Sequence, residues 1–188
     1  SWFPFGYRLE QDHFTGRNGR LVSQKRTAPR IVESNTSTEY WQKAASLVHT
    51  DPKGRGDADL PANVRVYLIA GTQHGGRAGL DDSRGLCQMP RNPSNPAPAL
   101  RALLVALEEW VVKGTLPPAS RVPRIIGRTA VPASEIKLPK LAGLTAPAAA
   151  NPIGPGVDWV SPPATFEKTY AVRVPQVDGD GNEVAGIR

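Results

Sequence analysis

The stretch that decides the fold is Val64-Arg65-Val66-Tyr67-Leu68-Ile69-Ala70, which runs directly into Gly71-Thr72-Gln73-His74-Gly75-Gly76. The first seven residues are mostly apolar on both faces, which is typical of a strand buried in a parallel sheet. The glycines that follow let the backbone turn sharply, so the strand ends abruptly. The pattern predicts an α/β protein in which His74 lies at the C-terminal edge of the sheet, where open α/β folds bind their ligands.

The segments around this strand alternate between strand-like and helix-like patterns. Residues 29–34 form a predicted strand, and residues 35–41 predict the start of a helix. Thr36 and Glu39 have the T-x-x-E spacing of a capping box, and further apolar residues follow at helical intervals: Trp41, Ala44, Ala45 and Val48. The clearest predicted helix spans about 97–113 and has one apolar stripe, formed by Leu100, Leu103, Leu104, Leu107, Trp110 and Val111. The order strand, helix, strand, helix predicts an α/β layer structure.

The sequence changes character near residue 115. From Leu116 to Pro163 prolines recur every few residues, which predicts extended chain that wraps over a surface or stays mobile. Residues 170–174 alternate as one strand of a terminal hairpin, and residues 178–182 form its predicted turn.

Composition excludes several classes of function. The 188 residues include 23 Lys and Arg against 17 Asp and Glu, a net charge of +6. No run of about 18 uncharged apolar residues occurs, so we predict no membrane-spanning helix. A single cysteine, Cys87, excludes an intrachain disulfide and a multi-cysteine zinc site. The basic residues of the middle region are spread out and are not interleaved with aromatic residues, so we predict no nucleic-acid partner.

His74 and Glu39 are the candidate catalytic residues. An imidazole at a strand end can act as a general base near neutral pH. Glu39 follows the preceding predicted strand, so in neighbouring parallel strands both side chains would project from one edge of the sheet. A carboxylate in contact with the imidazole would fix its tautomer and stabilise its protonated form. Two plainer interpretations stay open: Glu39 only completes the cap from Thr36, and His74 only shapes a loop.

No nucleophile accompanies this pair. The sequence contains no G-x-S-x-G; the nearest stretch, residues 81–85, has Asp81 in place of the first glycine, and Ser83 does not lie between a strand and a helix. Cys87 has no clear neighbour that would favour its thiolate, so we predict a small buried apolar residue.

Two further patterns suggest metals but fall short of a site. His49 and Asp51 form an H-x-D pair, which supplies too few ligands, so we expect contacts at a helix end or in a loop. Residues 178–183 match the start of a calcium loop, but Glu183 stands at the sixth position, where glycine is required. A hairpin turn is the better prediction, and we predict no metal site.

Six stretches of the sequence form an ordered series: NTSTEYW (35–41), ASLVHTD (45–51), LIAGTQHG (68–75), Asn92-Pro93, ALRALLVAL (99–107) and VPQVD (174–178). Together they resemble a family of large bacterial α/β-hydrolase-domain proteins. The likeness runs in order over nearly the whole chain, which makes it specific.

The resemblance implies the C-terminal part of an α/β-hydrolase fold, namely its last parallel strands with their packing helices and a proline-rich irregular tail. Residues 1–115 would be the C-terminal portion of that domain. Residues 116–188 would be a proline-rich wrapping segment and a terminal β-hairpin of the same domain. The triad of this fold follows the order Ser, acid, His, so Glu39 would be the acid and His74 the base. The nucleophile and the oxyanion-hole amides would then precede Ser1, and we expect the remainder of the polypeptide upstream.

The implied activity is serine-dependent hydrolysis of a small-molecule carboxylic ester, with no cofactor, and the chain by itself is expected to be inactive. Two alternatives of other classes remain, a non-catalytic interaction module and a basic surface that binds anionic partners. An upstream G-x-S-x-G would favour the enzyme, and salt-sensitive retention on DNA would favour the basic binder. The sequence indicates no cellular compartment.

Overall fold

The computed structural model describes residues 3–23, 25–75, 84, 92–155 and 168–188. Its strands are β1 (Glu10–Gln11), β2 (Asn18–Gly19), β3 (Ile31–Thr36), β4 (Val64–Ile69), β5 (Ala130–Val131) and β6 (Val174–Pro175). Its α-helices are α1 (Ser37–Gln42) and α2 (Ala97–Lys113), and two short 3-10 helices span Ala45–Val48 and Ala133–Glu135.

The centre of the molecule is a parallel pair of strands, β3 and β4. Their register runs from Ile31 opposite Val64 to Thr36 opposite Ile69, so both strands end at the same edge. The apolar side chains of β4 are buried, as its sequence predicts. Strand β3 begins at Ile31, two residues later than predicted, because Pro29 has no backbone N–H to donate to a strand ladder.

The chain after β3 departs from the predicted single helix. Helix α1 ends at Gln42, Ala44 adopts a left-handed backbone with φ of 55°, and the 3-10 helix follows. The apolar side chains around the break pack into two separate clusters. Tyr40 and Ala45 pack with Leu68, whereas Ala44 and Leu47 pack with Tyr170.

Helix α2 has the predicted bounds and ends at Gly114, whose φ of 77° is the left-handed geometry of a glycine helix stop. It packs against β3. Of the predicted apolar stripe, Leu103 and Trp110 are buried, whereas three members are exposed: Leu100, Leu104 and Val111. The guanidinium groups of Arg30 and Arg65 lie 5.6 and 5.2 Å from the Trp110 ring centroid. Among the described residues, no helix is both long and apolar enough to cross a membrane.

The predicted strand at 170–174 is largely irregular chain, with β6 beginning at Val174 and pairing with β5. The backbone N–H of Ala171 bonds to Pro52, and that of Arg173 bonds to the Ser46 hydroxyl. These donors are therefore used by loops rather than by a ladder. The predicted turn lies between Val177 and Glu183, which form an antiparallel bridge.

The last residues lie along the free side of β4. Ile187 donates to the Leu68 carbonyl at 2.7 Å and accepts from the Ala70 N–H at 2.9 Å. Gly186 has a φ of 98°, and a Cβ there would stand 2.6 Å from the Leu68 carbonyl oxygen. A glycine is therefore needed for this close approach.

Candidate active site

The C-terminal edge of the parallel pair brings two loops together. Helix α1 begins directly after β3, and the turn with His74 follows β4. Two hydrogen bonds join them: the Ser37 N–H donates to the Thr72 carbonyl, and the His74 N–H donates to the Thr38 hydroxyl, each at 3.2 Å. The sheet register thus places the first turn of α1 beside the His74 turn.

The structure brings the two predicted site residues into contact. Glu39 Oε1 and His74 Nδ1 form a hydrogen bond between residues 35 apart in the sequence. The Glu39 side chain is 13% exposed and the His74 side chain 66% exposed. The mostly buried carboxylate therefore binds one ring nitrogen, while much of the His74 ring is exposed to solvent.

Glu39 divides its two oxygens between two neighbours. Oε2 accepts the Thr36 N–H at 2.7 Å and the Thr36 hydroxyl, as in a capping box, while Oε1 faces His74. The cap and the histidine contact exist together. Burial raises the pKa of Glu39, but the hydrogen bonds from Thr36 and His74 outweigh it and leave the pKa below its usual value. The carboxylate is therefore ionised at neutral pH.

The His74 turn is anchored from several directions. Gly71 has a φ of 63°, donates its N–H to Glu183 Oε2 at 2.9 Å and accepts from Asn92 Nδ2 at 2.8 Å. The Thr72 hydroxyl donates to the Ile69 carbonyl at 2.6 Å. Sequence reasoning missed Glu183 at this site, because its contact with Gly71 spans 112 residues and leaves no local signal.

Two cavities flank this edge of the sheet. A cleft of about 790 Å³ lies beside the strand ends, and its lining mixes apolar and polar groups that include Ser37, Trp41, Thr72, Asn92 and Glu183. A smaller cavity of about 290 Å³ borders Glu39 on a mostly apolar side, against Phe5 and Leu47. The volume of the larger cleft lies in the usual range of small-ligand pockets, although neither His74 nor Glu39 lines it.

His49 is a core residue. It is buried, its Nε2 lies 2.8 Å from the Tyr40 hydroxyl, and its backbone closes the end of the 3-10 helix, in line with the expected helix-end contact. Burial lowers its pKa from 6.5 to about 4, so the ring is neutral at neutral pH. No cluster of three or more potential metal ligands occurs within the described part of the chain.

The remaining candidates from the sequence are Asp178, Ser83 and Cys87. Asp178 Oδ1 accepts the N–H groups of Asp180 and Asn182, which is the predicted hairpin turn. Ser83 and Cys87 lie outside the described residues. Within the described ranges, no serine, threonine or cysteine side chain bonds to the His74 ring.

Comparison with known proteins fits this geometry. A search of curated proteins and a search of solved structures each gave no match. A family model described as an alpha/beta hydrolase domain matches residues 8–188, which is nearly the whole chain and includes both Glu39 and His74. The chain therefore belongs to the α/β-hydrolase domain family and, with it, to the α/β-hydrolase superfamily.

Proposed function

We propose that this chain supplies the acid and the base of a serine-dependent carboxylic ester hydrolase, with Glu39 as the acid and His74 as the base. The observation that carries the proposal is the hydrogen bond between the Glu39 carboxylate and His74 Nδ1 at the C-terminal edge of the parallel strands. Family membership supports it, because the triad of this superfamily follows the order Ser, acid, His along the chain.

The proposed chemistry follows from the orientation of the ring. With the Nδ1 proton donated to Glu39, Nε2 is the basic nitrogen and can take the proton of a serine hydroxyl. The serine oxygen attacks the ester carbonyl, and the protonated imidazole returns the proton to the departing alcohol. Water then releases the carboxylic acid by the same route. The ionised Glu39 stabilises the imidazolium in each half-reaction, and no cofactor is required.

One edge of β3 has no paired strand in the described ranges. This unpaired edge supports the idea that a nucleophile comes from elsewhere in the same polypeptide. One side of β4 pairs with β3, and the other side bridges to Arg121 and Ile187. Beyond β3, no strand in the described ranges continues the sheet. We propose that an upstream segment pairs there and brings the serine and the oxyanion-hole amides.

We propose that the chain is the C-terminal part of the fold. Residues 1–115 would form the C-terminal portion of the catalytic domain. Residues 116–188 would form its proline-rich wrapping segment and terminal hairpin, and the 790 Å³ cleft would receive the small-molecule ester.

The test uses the polypeptide that includes the upstream segment. His74→Ala removes the base and should lower kcat/KM for p-nitrophenyl esters by about 10⁴–10⁶-fold. Glu39→Gln should cost less, because the amide oxygen can still accept the Thr36 N–H and keep the helix start intact. Steady-state kinetics gives the losses, and circular dichroism checks that each variant is folded.

A matched control removes a different imidazole. His13→Gln changes a side chain that packs against Phe14 and should leave turnover near the wild-type value. Near-normal turnover of a folded His74→Ala protein would overturn the assignment.

A further inference from the structure

Glu183 reaches the His74 turn from the far end of the sequence. It follows the hairpin turn at 178–182, and its backbone bridges to Val177. Its residue exposure is 8%, and its carboxylate accepts the Gly71 N–H at 2.9 Å. Burial raises its pKa, opposed by hydrogen bonds from the Gly71 backbone and the Ser37 side chain. A carboxylate buried against a backbone amide at this edge needs an explanation, because burial of an acidic group is costly.

Gly71 is the residue at which the turn begins. Its φ of 63° leads the chain out of β4, and three residues later comes the imidazole that faces Glu39. Removing the acceptor of a buried backbone N–H leaves that donor unsatisfied, which is costly. The Glu183 bond therefore fixes the start of the segment that delivers His74.

We propose that Glu183 is a positioning residue, which holds the turn after β4 so that the His74 ring stays against Glu39. Its effect on catalysis rests on the function proposed above, whereas its effect on the geometry of the turn does not. Glu183 acts on the chemistry through Gly71, and the substrate does not need to touch it.

The neighbouring contacts separate this role from general stabilisation of the sheet. Leu68 and Ala70 of the β4 segment are held by Ile187 through their own backbone hydrogen bonds. Strand pairing in this region therefore does not depend on the Glu183 carboxylate. The consequence of removing it falls on the residues from Gly71 to His74 and on Ser37 at the start of α1.

The first test reads the geometry directly in the 188-residue chain. Glu183→Leu removes the acceptor at similar volume, and Glu183→Gln keeps an acceptor oxygen. In the leucine variant we expect the Gly71 amide to exchange with solvent at least about 10-fold faster, and the low-field NMR signal of the His74 Nδ1 proton to be lost. The glutamine variant should retain most of both signals.

The second test reads catalysis in the polypeptide with its upstream segment. Glu183→Leu should lower kcat for p-nitrophenyl esters by about 10-fold with KM within about 2-fold, because a small misplacement of the base affects the chemical step. Asp180→Ala, a change at an exposed position of the same hairpin, is the matched control and should alter neither parameter. A raised KM with unchanged kcat would instead mean that Glu183 binds substrate in the cleft, which would overturn the proposal.

A third variant keeps the test decisive if the leucine variant fails to fold. Glu183→Asp keeps the carboxyl group but shortens the side chain by one methylene, so it should lose the Gly71 protection as well. Wild-type Gly71 exchange and an intact His74 proton signal in the aspartate or leucine variant would refute the positioning role. If the complete polypeptide hydrolyses no ester, the proposed function fails while the NMR results still decide the role of Glu183.

Discussion

At the scale of single residues, folding disfavours the protonated form of the buried His49 side chain. It is enclosed beneath α1 and makes its hydrogen bond to the Tyr40 hydroxyl. Burial lowers its pKa from 6.5 to about 4. The unfolded chain therefore binds a proton between these two pH values that the folded chain does not. Since the unfolded state binds more protons there, the free energy of unfolding falls as the pH falls through this window.

We expect His49 to set part of the acid sensitivity of the protein. Between about pH 7 and about pH 4.5, the wild-type free energy of unfolding should drop by about 2–3 kcal/mol more than that of His49→Gln, which has no proton to gain. Urea denaturation at several pH values measures the difference. Equal pH dependence of the two proteins would show that His49 is not the group responsible.

Both site residues could be found from the sequence, but their relation could not. His74 is marked by a buried strand that ends in glycines, and Glu39 by its distance of three residues from Thr36. That spacing reports a local contact, whereas the contact with His74 depends on the register of two strands. Only the structure shows that separate oxygens of Glu39 make the two contacts.

At the scale of elements, helix α2 shows what periodicity predicts and what it leaves open. Its bounds follow from its composition and from Gly114, and Leu103 and Trp110 face β3. The apolar pattern does not show how wide the covered surface is. Leu103 is 7% exposed and its neighbour Leu104 is 67% exposed, although the sequence puts both on one stripe.

These adjacent leucines give a matched pair of substitutions. Leu103→Ala removes buried contacts and should lower the free energy of unfolding by about 2–5 kcal/mol. Leu104→Ala changes an exposed side chain and should stay within about 0.5 kcal/mol of the wild type. Chemical denaturation of the 188-residue chain measures both. Similar costs at the two positions would mean that α2 is covered differently from the arrangement described.

Two elements differ from their predicted form because distant residues compete for them. The predicted helix after Thr36 breaks at Ala44, since its apolar side chains pack into two separate clusters. The predicted strand before Val174 is mostly irregular, since Pro52 and Ser46 accept the backbone hydrogen bonds that a ladder would need. Periodicity within a segment carries no information about such partners.

At the scale of the whole molecule, the chain presents a carboxylate and an imidazole in contact, without a described nucleophile beside them. The parallel pair is open on one side of β3, and the larger cleft adjoins its C-terminal edge. Strand order and the α/β class could be predicted from alternating patterns. The anchoring of the His74 turn by Glu183 could not, because it joins residues 112 apart.

The 188-residue chain by itself should therefore hydrolyse no p-nitrophenyl ester above the buffer background. An imidazole held by a carboxylate but lacking a nucleophile and oxyanion-hole donors has only part of the machinery. The measurement is initial-rate spectrophotometry on the purified chain, with Ser83→Ala as the companion variant. Turnover in either protein would count against an upstream nucleophile: if the variant loses it, Ser83 is the nucleophile, and if the variant keeps it, another residue is.

Gly186 has a practical consequence for anyone who expresses this protein. It lets residues 186–187 run alongside β4, where a Cβ at position 186 would stand 2.6 Å from the Leu68 carbonyl oxygen, and Ile187 then ties down the chain just before the histidine turn. Engineering of this protein should therefore leave position 186 as glycine, because a side chain there would disturb that tie.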